Sequence, residues 1–326
     1  MSGIRKALFL FFPVALIAQQ AADPALYAPT PGARVFIIGD FLYWTAQQEG
    51  LDFSYTAKGT PGQLPLFDVK TLSCDPEWST GFRVGLGYRL PHDLWEARGY
   101  VTQLRTTNHL ESHASGSHFI AFNAGLPIAQ TSGFSKEKGN WHLKYTLLDV
   151  ELSRCYPATR FLAINPFLGA RGAWIQQTVH FTLSDPNQLE VEGKNRFEGG
   201  GLRLGTDLQF YLAKCVSFFA QGSLSLLSGR FKVDAHVEGG EWPMFSERRK
   251  PHRLCANCEL RAGAKGTIPL YRKQAFLTLG LSYDMALWFS QNQLLNFFQA
   301  ANAIQVQSLQ GNLTLQGITF STRLDF

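Results

Sequence analysis

Long apolar runs, charge and cysteine are all scarce in this 326-residue sequence, and each scarcity excludes something. Beyond Ala18 no stretch approaches the roughly 18 uninterrupted apolar residues that a membrane-crossing helix needs. Charged residues make up only 17% of the chain, with 30 Lys and Arg against 25 Asp and Glu. That formal balance of +5, with no basic cluster interleaved with aromatics, gives no nucleic-acid footprint. Cysteine occurs five times, an odd number that leaves at least one thiol without an intramolecular partner.

Catalytic and metal-binding patterns are equally thin. Cys255-Ala-Asn-Cys258 has no second C-x-x-C to complete a zinc site, and along a strand its two thiols point to opposite faces. His109, His113 and His118 lie near Ser112, Ser115 and Ser117, but no nucleophile elbow is present. We therefore expect no enzyme activity, no metal and no cofactor.

What is present begins at the N-terminus. Arg5 and Lys6 precede an apolar run from Ala7 to Ala18, followed by small and polar residues. This predicts a secretory signal peptide over residues 1–22, then a short segment over 23–33. Removing two basic residues and no acidic ones lowers the formal charge from +5 to +3 (28 minus 25). An exported protein without spanning helices can be integral to a membrane only as a closed barrel.

Residues 34–326 carry that signature. At the C-terminus Ile318, Phe320, Leu324 and Phe326 share one strand face, while Arg323 and Asp325 share the other. Similar alternation recurs over 34–46, 80–90, 93–105, 140–154, 160–183, 195–212, 215–237, 251–268 and 273–290. Short turns alternate with long connections, and both ends fall on the short-turn side. The pattern predicts an all-β, transmembrane, antiparallel up-and-down barrel of about ten strands, within a range of eight to twelve. Its short turns would be periplasmic and its long loops, 106–139 and 184–194 among them, extracellular. The stretch 51–57 would extend the first hairpin or form an extra strand.

Arg83, Glu96, Arg98, Asp149, Glu151, Arg171, Arg203, Asp207, Glu259, Arg261, Lys265, Asp284, Arg323 and Asp325 take the parity opposite the apolar face. They are the candidate lumen charges, and Arg-rich pairing with carboxylates suits a narrow interior. Tyr43, Trp44, Trp95, Trp141, Trp174, Tyr211, Trp288 and Phe326 fall near strand ends, where interfacial girdles are expected. Cys74 falls in a long loop, and Cys155 and Cys215 in short turns.

The segments DFLYWTAQQEGLDFSY, FRVGLGY, PFLGARGAWI, LSLLSGRFKV, ALWFSQNQLLN and GNLTLQGITFSTRLDF resemble the Legionella major outer-membrane protein family of pore-forming barrels, which has many members in Chlamydia-related bacteria. The resemblance runs over most of residues 35–326. It implies residence in the outer membrane, contact with its lipid, and passive diffusion of ions or small solutes. It also implies that the barrel-assembly machinery reads the terminal strand through Phe326, Leu324, Phe320 and Ile318. Disulfide-linked envelopes in Chlamydia-like bacteria make Cys74, Cys155 and Cys215 candidates for intermolecular bridges. A homo-oligomer follows only by analogy with larger porins. Against the pore stands barrel width: about ten strands is little wider than the eight whose side chains fill the interior. The rival expectation is a structural or surface-interaction protein with a filled lumen.

Overall fold

In the computed structural model the described residues are 34–51, 54–59, 67–90, 94–116, 118–122, 133–184, 188–213, 215–239, 242–270, 275–300 and 303–326. The segments expected over 1–22 and 23–33 lie outside the described residues. Ten strands form a ring: β1 (Arg34–Gln48), β2 (Trp78–Arg89), β3 (Trp95–His113), β4 (Lys136–Arg154), β5 (Leu162–Ser184), β6 (Leu189–Ala213), β7 (Val216–Gly239), β8 (His252–Leu270), β9 (Ala275–Asn292) and β10 (Gly311–Asp325). Each pairs antiparallel with its neighbours in sequence, and β10 pairs with β1 to close the barrel, Phe320 facing Phe41 across the seam. No backbone edge is then left to lipid, which is the condition for crossing a bilayer with strands.

Three strands, β3, β4 and β6, are longer than their alternation suggested. Much of the expected loops 106–139 and 184–194 is strand, because β3 continues to His113, β4 begins at Lys136 and β6 begins at Leu189. The reason is cross-strand pairing, which runs unbroken from Trp95↔Arg154 to His113↔Lys136. Around the long-connection end lie short strands outside the ring. Trp242–Arg249 pairs with β7. Ser54–Lys58 pairs with Phe67–Leu72 and His118–Phe122 in a small separate sheet, and Leu295–Ala300 forms a hairpin with Ala303–Ser308. The stretch 51–57 thus contributes an extra strand.

Polarity inverts along the barrel. On β6 the outer face is apolar, Thr206 apart, from Leu202 to Leu212, which at 3.3 Å per residue and a tilt near 40° spans about 25 Å, the height of a lipid-facing band. Exposed Leu86, Val150, Leu168, Leu226 and Leu281 continue that band around the ring. Above it the outer face of β4 changes to Thr146, Lys144, His142 and Asn140, and that of β6 to Glu198, Arg196, Lys194 and Glu192.

The inner face changes in the opposite sense. Reading β4 from the long-connection end, it carries buried Trp141, Leu143, Tyr145 and Leu147, then Asp149 and Glu151. The same switch occurs on β5 between Ala173 and Arg171, and on β1 between Leu42 and Asp40. The barrel therefore resembles a water-soluble barrel above the lipid band, greasy inside and charged outside. Within the band it is the reverse. The upper interior is one packed cluster containing Trp44, Trp141, Phe181, Phe197, Phe231 and Trp288. Leu51, Ile120, Phe134 and Leu294 from the outlying segments cap it.

That inversion corrects three expected girdle aromatics: Trp44, Trp141 and Trp288 point inward and are almost completely buried. A fourth, Tyr211, shares the charged parity of β6 and faces the lower lumen. Tyr43, Trp174 and Phe326 do lie exposed on the outer face, and Tyr43 stacks on Trp78 at 5.0 Å.

Candidate lumen site

Below the apolar cluster, the interior holds a cavity of about 450 Å³. Its lining runs from Trp44 and Tyr100 at the closed end to Arg34, Arg89, Asn165, Thr267 and Asp325 at the short-turn rim. Strand alternation places the charged walls. Inward positions two apart on β2 (Arg83, Gly85, Gly87, Arg89) and on β8 (Glu259, Arg261, Gly263, Lys265) combine charge with glycine, leaving room for long side chains to cross the lumen. At Gly87 the need is explicit: a Cβ there would stand 2.1 Å from the Phe36 ring, on which the Arg323 guanidinium lies at 3.6 Å.

All fourteen of the charges picked out by parity face this interior. Twelve line the cavity, while Asp149 and Glu151 sit behind arginines at its wall. The ion pairs fall into three neutral groups. Asp40 and Asp284 hold Arg83 and Arg261, at 3.1 Å and 3.4 Å to Asp40 and 3.9 Å and 3.2 Å to Asp284. Glu96 and Asp325 hold Arg323 and Arg89, at 2.9 Å and 3.0 Å to Glu96 and 2.8 Å and 4.0 Å to Asp325. The third is a chain across the lumen, Arg98–Glu151–Arg203–Glu259–Arg171–Asp149, with Tyr100 donating to Glu151 at 2.6 Å. Each group thus has as many guanidinium groups as carboxylates. Lys265 and Asp207 stand outside these groups. Lys265 lies over the Phe219 ring at 5.0 Å, and Asp207 accepts from Gln209 at 3.2 Å.

Sequence reading missed Asp40, Arg34, Arg89 and Tyr100 as part of this wall. Both faces of β1 are largely apolar around Asp40 (Ile38, Leu42 and Trp44 within; Ile37, Phe41 and Tyr43 without), so alternation there carries no signal. Arg34 and Arg89 lie at strand ends, where parity has the fewest neighbours to fix it.

The terminal residues Ile318, Phe320, Leu324 and Phe326 share the outer face of β10. Cys255 points inward and is buried, whereas Cys258 lies on the outer face, so the pair cannot share a metal. All five cysteines are free thiols. Burial pushes the Cys74 thiol up to about 12, with Glu137 and Asp75 adding to it, and pushes Cys155 up to about 11. Little thiolate exists at either, whereas Cys215 is exposed. Among the described residues the side chains of the candidate histidines meet partners other than serine: His109 bonds Asn140 at 2.5 Å, and His113 and His118 face Glu111 and Asp68.

One acid stands apart at the top of β4, well above the lipid band. Glu137 is fully buried, and its Oε2 accepts from Ser54 of the small outlying sheet at 2.7 Å while Oε1 has no hydrogen-bond partner among the described residues. Burial pushes its carboxyl from 4.5 up to about 7. The folded state therefore favours the protonated form. This contribution to stability is complete below about pH 4.5 and is lost as pH rises through about 7. Hydrogen exchange should show protection of strand 54–58 falling across that window beyond the intrinsic pH effect, and a Glu137→Gln variant should remove the extra fall. Equal profiles for the two proteins would refute this.

Residues 29–326 match the family model described as the Legionella pneumophila major outer membrane protein precursor. The chain belongs to that family. Its place is the outer membrane, and the lipid-facing band and closed ring are the family's barrel. No curated protein matches the sequence. Among solved structures, the outer membrane protease OmpT from Escherichia coli is 7% identical with a TM-score of 0.43, covering 91% of this chain and 97% of that one. A major outer membrane protein from Thermus thermophilus is 10% identical with a TM-score of 0.32, covering 90% and 100%. The Pseudomonas putida toluene transporter TodX is 11% identical with a TM-score of 0.29, covering 91% and 90%. At such low identities and scores, nothing those proteins are named for is carried over to this member of the Legionella family.

Proposed function

We propose that this outer-membrane barrel is closed to ions and serves as a structural and surface-presenting protein of the envelope. One observation carries the reading: the upper lumen is filled. From Leu147 to Trp141 on β4 the inward side chains are apolar and buried, a depth of about 15 Å along the axis at a 40° tilt. Trp141, Phe181, Phe197, Phe231 and Trp288 are at most 1% exposed. A layer this deep, packed from all sides, excludes water in the way a protein core does, and so differs from a thin ring that gates by dewetting. The reading calls for no catalytic step and no cofactor, and its working surface is the set of strands at the long-connection end. Exposed Cys215 is the thiol best placed to bridge a neighbouring chain, and the outward face ending in Phe326 suits recognition by the assembly machinery.

A second reading, porin-like diffusion of small ions, is favoured by the charged cavity below the core. Planar-bilayer conductance of the refolded barrel at two salt concentrations separates the two. A silent bilayer from protein with heat-modifiable gel migration is expected. Discrete steps that scale with salt would overturn the closed reading and establish the channel.

A further inference from the structure

Above the lipid band, the outer face of the barrel carries a row of cations that repel one another. Arg105 sits directly opposite Lys144, Lys144 opposite Gln176, Gln176 opposite Arg196, and Arg196 opposite Lys232. Like charges directly opposite across a ladder are destabilising. Lys232 is neutralised by both oxygens of Glu198, at 3.0 and 3.1 Å. Arg105, Lys144 and Arg196 are exposed, and none has a carboxylate partner among the described residues.

The three border a groove of about 250 Å³ shared with Trp174, Gln176 and Glu198. Trp174 is 48% exposed, with its ring folded toward the lipid band over Gly172. Gly172 and Gly200 are paired directly one outward row below Trp174 and Glu198; the Trp174 ring covers Gly172, and the wall is shallow at Gly200. Exposed Leu148, Leu168 and Leu202 flank that trough. A polar ligand at the groove would therefore have a bed for hydrocarbon directly beneath it.

Cations gathered in one cross-strand row, a tryptophan one outward row below them and greasy wall beneath describe an amphiphile with a negatively charged head. Arginine forks and a lysine point charge together suit phosphate oxygens. The long-connection side of such a barrel faces the outer leaflet. We infer that Arg105, Lys144 and Arg196 form a binding site for the phosphate groups of an outer-leaflet glycolipid, whose acyl chains lie against Trp174 and the exposed leucines below it. The site is on the outside of the barrel, so it holds for a closed or an open lumen.

Native mass spectrometry of the refolded barrel in neutral detergent tests this, with bisphosphorylated lipid A as probe and its dephosphorylated form as control. The triple variant Arg105→Gln/Lys144→Gln/Arg196→Gln removes exposed, unpaired charges and is expected to migrate as a folded barrel. Wild type should retain the bisphosphorylated lipid, and the triple variant should retain it at least about tenfold less well. The dephosphorylated lipid should be lost from both. Equal retention by wild type and variant, or of the dephosphorylated lipid, would overturn the site. Displacement by millimolar inorganic phosphate would assign it to free phosphate and overturn the lipid. If the triple variant fails to fold, Lys144→Glu alone serves, and unchanged retention there overturns the proposal equally.

Discussion

An Arg171→Met variant is expected to lose about 3–5 kcal/mol of unfolding free energy. Arg171 is the last arginine of the charged chain, next to the apolar core on β5, with its side chain essentially inaccessible. Its Nε and Nη2 donate to Asp149 at 2.6 and 3.0 Å, and Nη1 donates to Glu259 and to Asn257. Removing the guanidinium leaves Asp149, itself buried, as an uncompensated charge in a low-dielectric interior. Most of the loss is the penalty on that orphan rather than the net value of the pair. The double variant Arg171→Met/Asp149→Leu should therefore recover most of the stability. Guanidinium unfolding of the barrel in lipid vesicles reads both. A single variant within about 1 kcal/mol of wild type would place Arg171 in water, where such pairs contribute little.

Trp288→Ala should be comparably damaging, by about 3–5 kcal/mol, for an unrelated reason. Trp288 is fully buried in the upper core, its ring edge-on to Tyr145 at 6.1 Å and 82°, and its Nε1 donates to the Tyr145 hydroxyl at 3.1 Å. Truncation leaves a void walled by side chains from facing strands that the closed ladder prevents from collapsing. Trp288→Phe keeps much of the volume and gives up the hydrogen bond, so its loss should be nearer 1–2 kcal/mol. The same unfolding assay decides. If the alanine variant loses less than about 1 kcal/mol, Trp288 faces an aqueous channel and the closed reading fails with it.

The ring was legible in the sequence because strand parity is a local signal. Most of the ten strands contain a run of side chains with lipid on one face and polar or charged groups on the other, and the shortest connections fix antiparallel neighbours. The fourteen lumen charges were legible for the same reason. What parity could not tell is which face is the interior once both sides change character. On β4 the greasy parity passes from Leu148 and Val150 outside to Leu143 and Tyr145 inside, and Leu147 beside Leu148 marks the crossover. A pattern that shifts by one residue midway reads as a blurred strand end, which is why Trp141 and Trp288 were expected at an interface. The pairing of particular arginines with particular acids was beyond the sequence. Asp40 meets Arg261 across 221 positions, a contact set by closure of the ring.

The strands that rise past the lipid also determine what another cell or a large molecule first meets. From Leu202 to the start of β6 at Leu189 the wall climbs about 30 Å at a 40° tilt. The greasy filling makes that rise a stiff pedestal, and the sheet of Ser54–Lys58, Phe67–Leu72 and His118–Phe122 stands at its summit. Antibodies or phage tail fibres too bulky to reach the membrane plane would still touch this summit. Sequence change that evades them can then accumulate in the summit segments while the pedestal beneath stays as it is.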